Sequence, residues 1–212
     1  MIADRLLVVT AVEAEAAAVR AGLGDAAVTV TPVGVGPAAA AAGTARLLAL
    51  AEGAGRPYTA VICAGIAGGF TDRVEVGGTV LADRSIAADL GAESPDGFIP
   101  LDELGFGETV APVHPPLLAA LRRALPAAAA GAVLTVGTVT GSADSAKALA
   151  ARHPDAVAEA MEGYGVACAA AGAGVPFAEL RTVSNPIGPR DRAAWRMREA
   201  FDALTTAATR LA

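Results

Sequence analysis

Residues 175–188 read VPFAELRTVSNPIG, and this stretch decides the fold class. Val175 to Val183 has the apolar, β-branched and aromatic content of a buried strand. The run then ends on a polar pair, Ser184 and Asn185. Pro186 removes a backbone donor and Gly188 permits a turn. A turn alone would account for Ser and Asn, which are favoured there. The sharper reading is a ligand site, because open α/β sheets bind ligands at the carboxyl ends of their strands.

The same pattern recurs along the chain. Leu6–Thr10 precedes a helix from about Val12 to Ala21, and Val28–Val35 precedes Pro37–Glu52. Ala60–Ala64 precedes a glycine loop, and Thr79–Asp83 follows Gly77-Gly78. Val133–Thr138 precedes Ser142–Arg152, and Phe177–Val183 precedes a last helix from about Ala193 to Leu211. The alternation predicts an α/β fold, one mainly parallel sheet with helices on both faces. Gly91–Gly107 stands apart as a long loop carrying Phe98, Ile99 and Phe106, either a lid or a surface excursion.

Composition narrows the function classes. The 212 residues are 54% hydrophobic, enough for one domain, residues 1–212, with a sizeable core. Aromatics are only 4%, so that core must be built from Ala, Val, Leu and Ile. Net charge is −6 with 16 Lys and Arg and no basic block, which argues against nucleic acid. Met1 to Val9 lacks a basic leader and reads as a first strand, and no segment reads as a membrane span. A cytoplasmic protein is expected. Cys63 and Cys168 sit in apolar runs and are expected as buried thiols, and His114 and His153 precede prolines in loop-like settings. No spacing of His, Cys and acids suggests a metal, and no cofactor is expected.

Four constellations could carry chemistry. Gly34-Val35-Gly36 follows a strand, with Pro37 suited to a helix start. It approaches a dinucleotide fingerprint, but the next strand ends in Ala64-Gly65-Ile66 without the acid that a ribose requires. CAGIAGGF, Cys63–Phe70, offers backbone amides to a ligand. Glu13 and Glu15 follow the first strand at a helix start, where dipole complementation or general-base chemistry would place them. Met161-Glu162 lies in a run of small apolar residues, where a carboxylate needs a partner such as a ligand hydroxyl.

An acid after strand one, then GVG, GIAGGF, ME and RTVSN in that order, resembles the nucleoside phosphorylase and nucleosidase superfamily over nearly the whole chain. The pattern is similar to methylthioadenosine/S-adenosylhomocysteine nucleosidases and, with Asn185 and the tail SNPIGPRDRAAW, looks most like the futalosine hydrolases. The resemblance implies a three-layer α/β/α sandwich around a mixed, partly barrel-like sheet, in homo-oligomers of two or more copies. It implies Glu15 as the water-activating base, Glu162 on the ribose hydroxyls and Met161 against sugar and base. Val35, Gly65, Ile66, Ala67 and Gly68 are implied as substrate-binding.

Asn185, oriented by Ser184, stands where the nucleosidases carry an Asp that meets the purine N7. An Asn offers both donor and acceptor, which favours a 6-oxopurine over adenine. The glycine segments lack the arginines that a phosphorylase uses on phosphate, so water is the implied nucleophile. The nucleosidases' base-stacking aromatic has no match in TGSADS, Thr140–Ser145. Futalosine carries an aryl carboxylate beyond the 5′ carbon, and Arg84, Arg190 and Arg192 are candidate cations for it. The implied reaction releases hypoxanthine from futalosine in an alternative menaquinone route. A purine nucleoside phosphorylase, an adenine-directed nucleosidase and a non-catalytic nucleoside binder remain open alternatives.

Overall fold

The computed structural model of the chain describes residues 4–24 and 26–211. The reading of Met1–Val9 as a first strand therefore falls partly outside the described residues, as do the two ends of the expected domain. The elements run β1 Leu6–Thr10, α1 Glu13–Leu23, β2 Thr29–Pro32, α2 Pro37–Gly53, β3 Ala60–Gly69, β4 Thr79–Ala87, β5 Gly91–Ser94 and β6 Gly97–Pro100. They continue with β7 Val110–Pro112, α3 Pro115–Ala124, β8 Ala129–Thr135, α4 Ala143–Arg152, β9 Ala156–Ala160, α5 Gly163–Gly172, β10 Phe177–Pro186 and α6 Met197–Ala208.

β3 organises the sheet. One edge pairs in parallel with β10 along its whole length. The other edge pairs with β1 at Ala60–Cys63 and, further on, antiparallel with β9 at Gly68 and Gly69. From β10 the ladder runs to β4, β8, β9 and back to β3. These five strands close a ring, and β1 and β2 extend from it as an open wing. Most pairs of the sheet are parallel, as the alternation predicts, and antiparallel pairs of β10 with β4 and of β3 with β9 close the barrel, so the sheet is mixed.

The glycine segment after Ala64 is strand, not loop. Gly65, Gly68 and Gly69 stay on the β10 ladder, and their missing side chains make room for what packs on the strand. A Cβ at Gly69 would meet Val183 and Val74 below 3.0 Å. Gly91–Gly107 is likewise not a single loop, since its first half folds as the β5–β6 hairpin. The last helix starts at Met197, after a 3₁₀ turn at Arg192–Ala194.

Helices lie on both faces. Thr182 of β10 hydrogen-bonds the Ala200 carbonyl of α6, whereas its neighbour Arg181 reaches the start of α5. Adjacent strand residues point to opposite faces, so α5 and α6 flank the sheet. The core is aliphatic and alanine-rich, as the scarcity of aromatics demands. Cys63 is buried, but Cys168 is exposed. It sits on the outer face of α5, where the small-residue run hides the helical periodicity.

The helix pairs α1–α6 and α2–α5 approach through glycine. A Cβ at Gly165 would lie 2.1 Å from the Pro37 carbonyl oxygen, so α5 rests on the first residue of α2. Gly165→Ala should force these helices apart and destabilise the fold by about 1–3 kcal/mol, an overpacking cost. Urea denaturation checks this; an unchanged midpoint would show that the helices separate freely.

Candidate active site

The rim of the barrel gathers the residues singled out in the sequence around a cavity of about 260 Å³. Glu15 enters from α1. It stands in the first helical turn, where the helix dipole favours an acid. Its carboxylate accepts the Ala11 and Val12 backbone N–H groups at 2.8 and 3.2 Å. The other oxygen accepts the Ile66 N–H of β3 at 2.9 Å. Glu15 is buried, and burial raises its proton affinity, although Arg181 and these hydrogen bonds pull the other way. Glu13, by contrast, is exposed and paired with Arg20 outside the cavity.

Glu162 stands at the N-cap position of α5. It accepts the Gly36 N–H at 3.2 Å, its neighbour Met161 N–H at 3.3 Å and Arg181 Nη1 at 3.2 Å. The Gly34-Val35-Gly36 turn thus approaches a carboxylate of the protein itself. Gly34 and Gly36 both have positive φ, which fits glycine there. Arg181 was not apparent as a site residue. The signal was Glu179 and Arg181 at alternate positions of an apolar strand, charges on one buried face that must find partners.

Ser184 and Asn185 both line the cavity although they are adjacent in β10. A regular strand would point them to opposite faces. The register against β3 shifts between Val183 and Asn185, a bulge that leaves Ser184 unpaired and re-aims the chain. Ser184 Oγ donates to Asn185 Oδ1 at 2.8 Å, and Asn185 Nδ2 donates to the Pro186 carbonyl at 2.9 Å. An amide has two N–H donors and two lone pairs, so one of each stays available to a ligand.

Met161, Val35, Ile66, Ala67 and Gly68, named by the resemblance, line the cavity. Gly65 does not; it stands behind Glu15, where a Cβ would lie 2.5 Å from Oε1. Val12, Val35 and Val139 are exposed apolar side chains on the cavity wall, a surface suited to an apolar part of a ligand. Glu159 and Thr140, not singled out in the sequence, also line it. Thr140 donates to Glu159 through both N–H and hydroxyl, and burial raises the proton affinity of that acid.

Trp195, past the 3₁₀ turn, supplies an aromatic wall that TGSADS lacks. Among the candidate cations, Arg190 lines the cavity with its guanidinium 5.9 Å from the Trp195 ring centroid. Arg84 is engaged by Asp83 and Asp155 elsewhere, and Arg192 flanks Trp195 off the cavity wall. No residue of Gly91–Gly107 lines the cavity.

A family model described as the phosphorylase superfamily matches residues 6–212. The futalosine hydrolase of Streptomyces coelicolor is 58% identical over 74% of this chain and 67% of its own length. The futalosine hydrolase of Acidothermus cellulolyticus is 49% identical over 95% of this chain and 90% of its own. Among solved structures, a methylthioadenosine/S-adenosylhomocysteine nucleosidase from Colwellia psychrerythraea in complex with adenine superposes with TM-score 0.80 at 22% identity. That match covers 99% of this chain and 96% of that one.

The raised proton affinity of Glu15 has a stability consequence. A carboxyl that binds its proton more tightly folded than unfolded favours folding below its unfolded value. That contribution is lost as pH rises through the folded one. Relative to Glu15→Gln, which cannot ionise, the wild-type urea midpoint should therefore fall as pH rises out of the ordinary glutamate range. Parallel pH courses of the two proteins would show no acid-range work by Glu15.

Proposed function

The chain belongs to the phosphorylase superfamily, and we propose that it is a futalosine hydrolase, as its relatives from Streptomyces coelicolor and Acidothermus cellulolyticus are named, cleaving the N-glycosidic bond of that 6-oxopurine nucleoside. The observation that carries the reading is Glu15, a buried carboxylate on the cavity wall held by three backbone N–H donors. Burial makes it a stronger base than an exposed glutamate, which suits proton transfer near neutral pH.

Glu162 holds the ribose hydroxyls while the bond from C1′ to the base lengthens toward an oxocarbenium-like state. Met161 and Val35 pack on sugar and base, with Ile66, Ala67 and Gly68 forming the wall beside them. Water attacks C1′ as Glu15 takes its proton, and the bond electrons leave with the base. N7 of the departing base takes a proton from solvent water, and Asn185, held by Ser184, accepts from the N7–H so formed while donating to the 6-oxo group. Positioned proton transfer of this kind contributes ~10²–10⁴ in rate.

Water rather than phosphate fits the charges. Glu15, Glu159 and Glu162 line the cavity, and a phosphate dianion among them would be repelled. Arg181 does not line the cavity and is held by Glu162 and Glu179. Arg190, which lines the cavity beside Trp195, would meet the aryl carboxylate beyond the 5′ carbon. The proposal extends to a one-domain, cofactor-free enzyme acting as a homo-oligomer in the cytoplasm, within an alternative menaquinone route.

Incubation with futalosine, inosine and methylthioadenosine, each with and without phosphate, tests this. Free hypoxanthine from futalosine at a rate independent of phosphate is expected, with Glu15→Gln slower by ~10²-fold or more. A ribose-1-phosphate product would make the protein a phosphorylase, adenine release alone would make it adenine-directed, and binding without turnover would make it a carrier.

Base choice gives a second measurement. Adenine offers a donor at position six, so Asn185 would face it donor against donor, and unpaired buried groups are rejected strongly. Asn185→Asp should weaken the preference for hypoxanthine over adenine nucleosides, since a protonated Asp can donate to N7. The ratio of kcat/KM for matched substrates reads this directly; an unchanged ratio would leave Asn185 a turn residue only.

A further inference from the structure

Glu179 takes no part in the mechanism above, yet it is a fully buried carboxylate on β10, two residues before Arg181. Burial raises its proton affinity, so the charge depends on Arg181 and Ser85, which pull the other way. Arg181 Nε donates to its Oε1 at 2.9 Å, and the Ser85 hydroxyl of β4 donates to Oε2. The carboxylate also fills the space beside Gly163, where a Cβ would lie 2.2 Å from an oxygen.

A guanidinium is planar, with its donors in a fixed fork. Glu179 takes Nε, and Cys63 Sγ of β3 accepts from Nη2 at 3.2 Å. Nη1 is thereby aimed at Glu162 Oε2, 3.2 Å away, and at the Ile66 carbonyl, 3.4 Å away. Nη1 and Glu15 Oε1 both lie within 3.0 Å of the point a Gly65 Cβ would occupy. One cation thus faces Glu15 from α1, Glu162 from the start of α5 and Glu179 from its own strand, with the Cys63 thiol of β3 as the remaining titratable neighbour.

We propose that Glu179 is a positioning residue for the two site carboxylates. Its hold on Nε fixes the plane that presents Nη1 to Glu162, and its negative charge limits how much of the guanidinium charge acts on Glu15. The inference rests on the reading of Glu15 as base and Glu162 as ribose ligand. Arg181 favours the ionised form of Glu15 while burial opposes it. A guanidinium left wholly to Glu15 and Glu162 would make Glu15 a weaker base that stays ionised to lower pH.

The test is Glu179→Gln in the full chain, with kcat/KM for futalosine followed against pH beside wild type and Glu15→Gln. The glutamine keeps an oxygen for Nε but not the charge. Activity requires ionised Glu15, so the acid limb should move down by about one pH unit, with KM raised several-fold on the plateau. Ser85→Ala removes a donor that favours ionised Glu179, and should move the limb the same way by less.

An unmoved limb in a folded Glu179→Gln overturns the proposal, as does a lower plateau with limb and KM unchanged. If that variant does not fold, an unmoved limb in Ser85→Ala overturns it. Full turnover in Glu15→Gln overturns the reading of Glu15 and this inference together. An inactive Glu15→Gln beside an unmoved Glu179→Gln limb sinks this inference alone.

Discussion

The buried guanidinium of Arg181 is the constraint from which the rest of the site follows. A cation with 1% exposure costs several kcal/mol to desolvate unless acids and polar atoms surround it. Its partners come from different parts of the chain: Glu162 opens α5, Glu179 shares β10, and Cys63 and the Ile66 carbonyl belong to β3. Satisfying one side chain therefore fixes two strands and a helix start relative to one another. Glu15, held by the Ile66 N–H of the same β3, shares the wall of one cavity with Glu162.

The closed ring of strands supplies the second condition. β3 serves β1 with its first half and β9 with its last two residues, so the open wing and the barrel meet along one strand. Glu15 follows the end of β1, Glu162 follows the end of β9, and Asn185 lies near the end of β10. The ends of β1 and β10, both parallel to β3, and of β9, antiparallel to it, thereby meet at one rim, the strand-end position where α/β sheets bind ligands.

The alternation of strands and helices and the aliphatic core were legible because each rests on local composition, whereas only the family resemblance joined Glu15 and Glu162 in one site. The extent of β3 was not: Gly65, Gly68 and Gly69 signal a turn by residue type, and only the pairing with β10 keeps them extended. The partners of Arg181 were hidden for a similar reason, since Glu162 lies nineteen positions away and Cys63 one hundred and eighteen. Trp195 escaped notice because it lies beyond Asn185, outside the TGSADS stretch where an aromatic was sought. Long-range closure decides such features, and periodicity carries no record of it.

The bulge at Ser184 separates what the barrel needs from what the cavity reads. Val183 is paired to Ala67 before the irregularity and Pro186 to Gly69 after it, so the ladder is secured on either side. Between them the half-buried Asn185 side chain contributes no apolar packing to the core. Variation at that single position can then change the polar atoms offered to the cavity at little cost to folding. A scaffold of this kind is evolvable in its specificity while remaining conservative in its architecture.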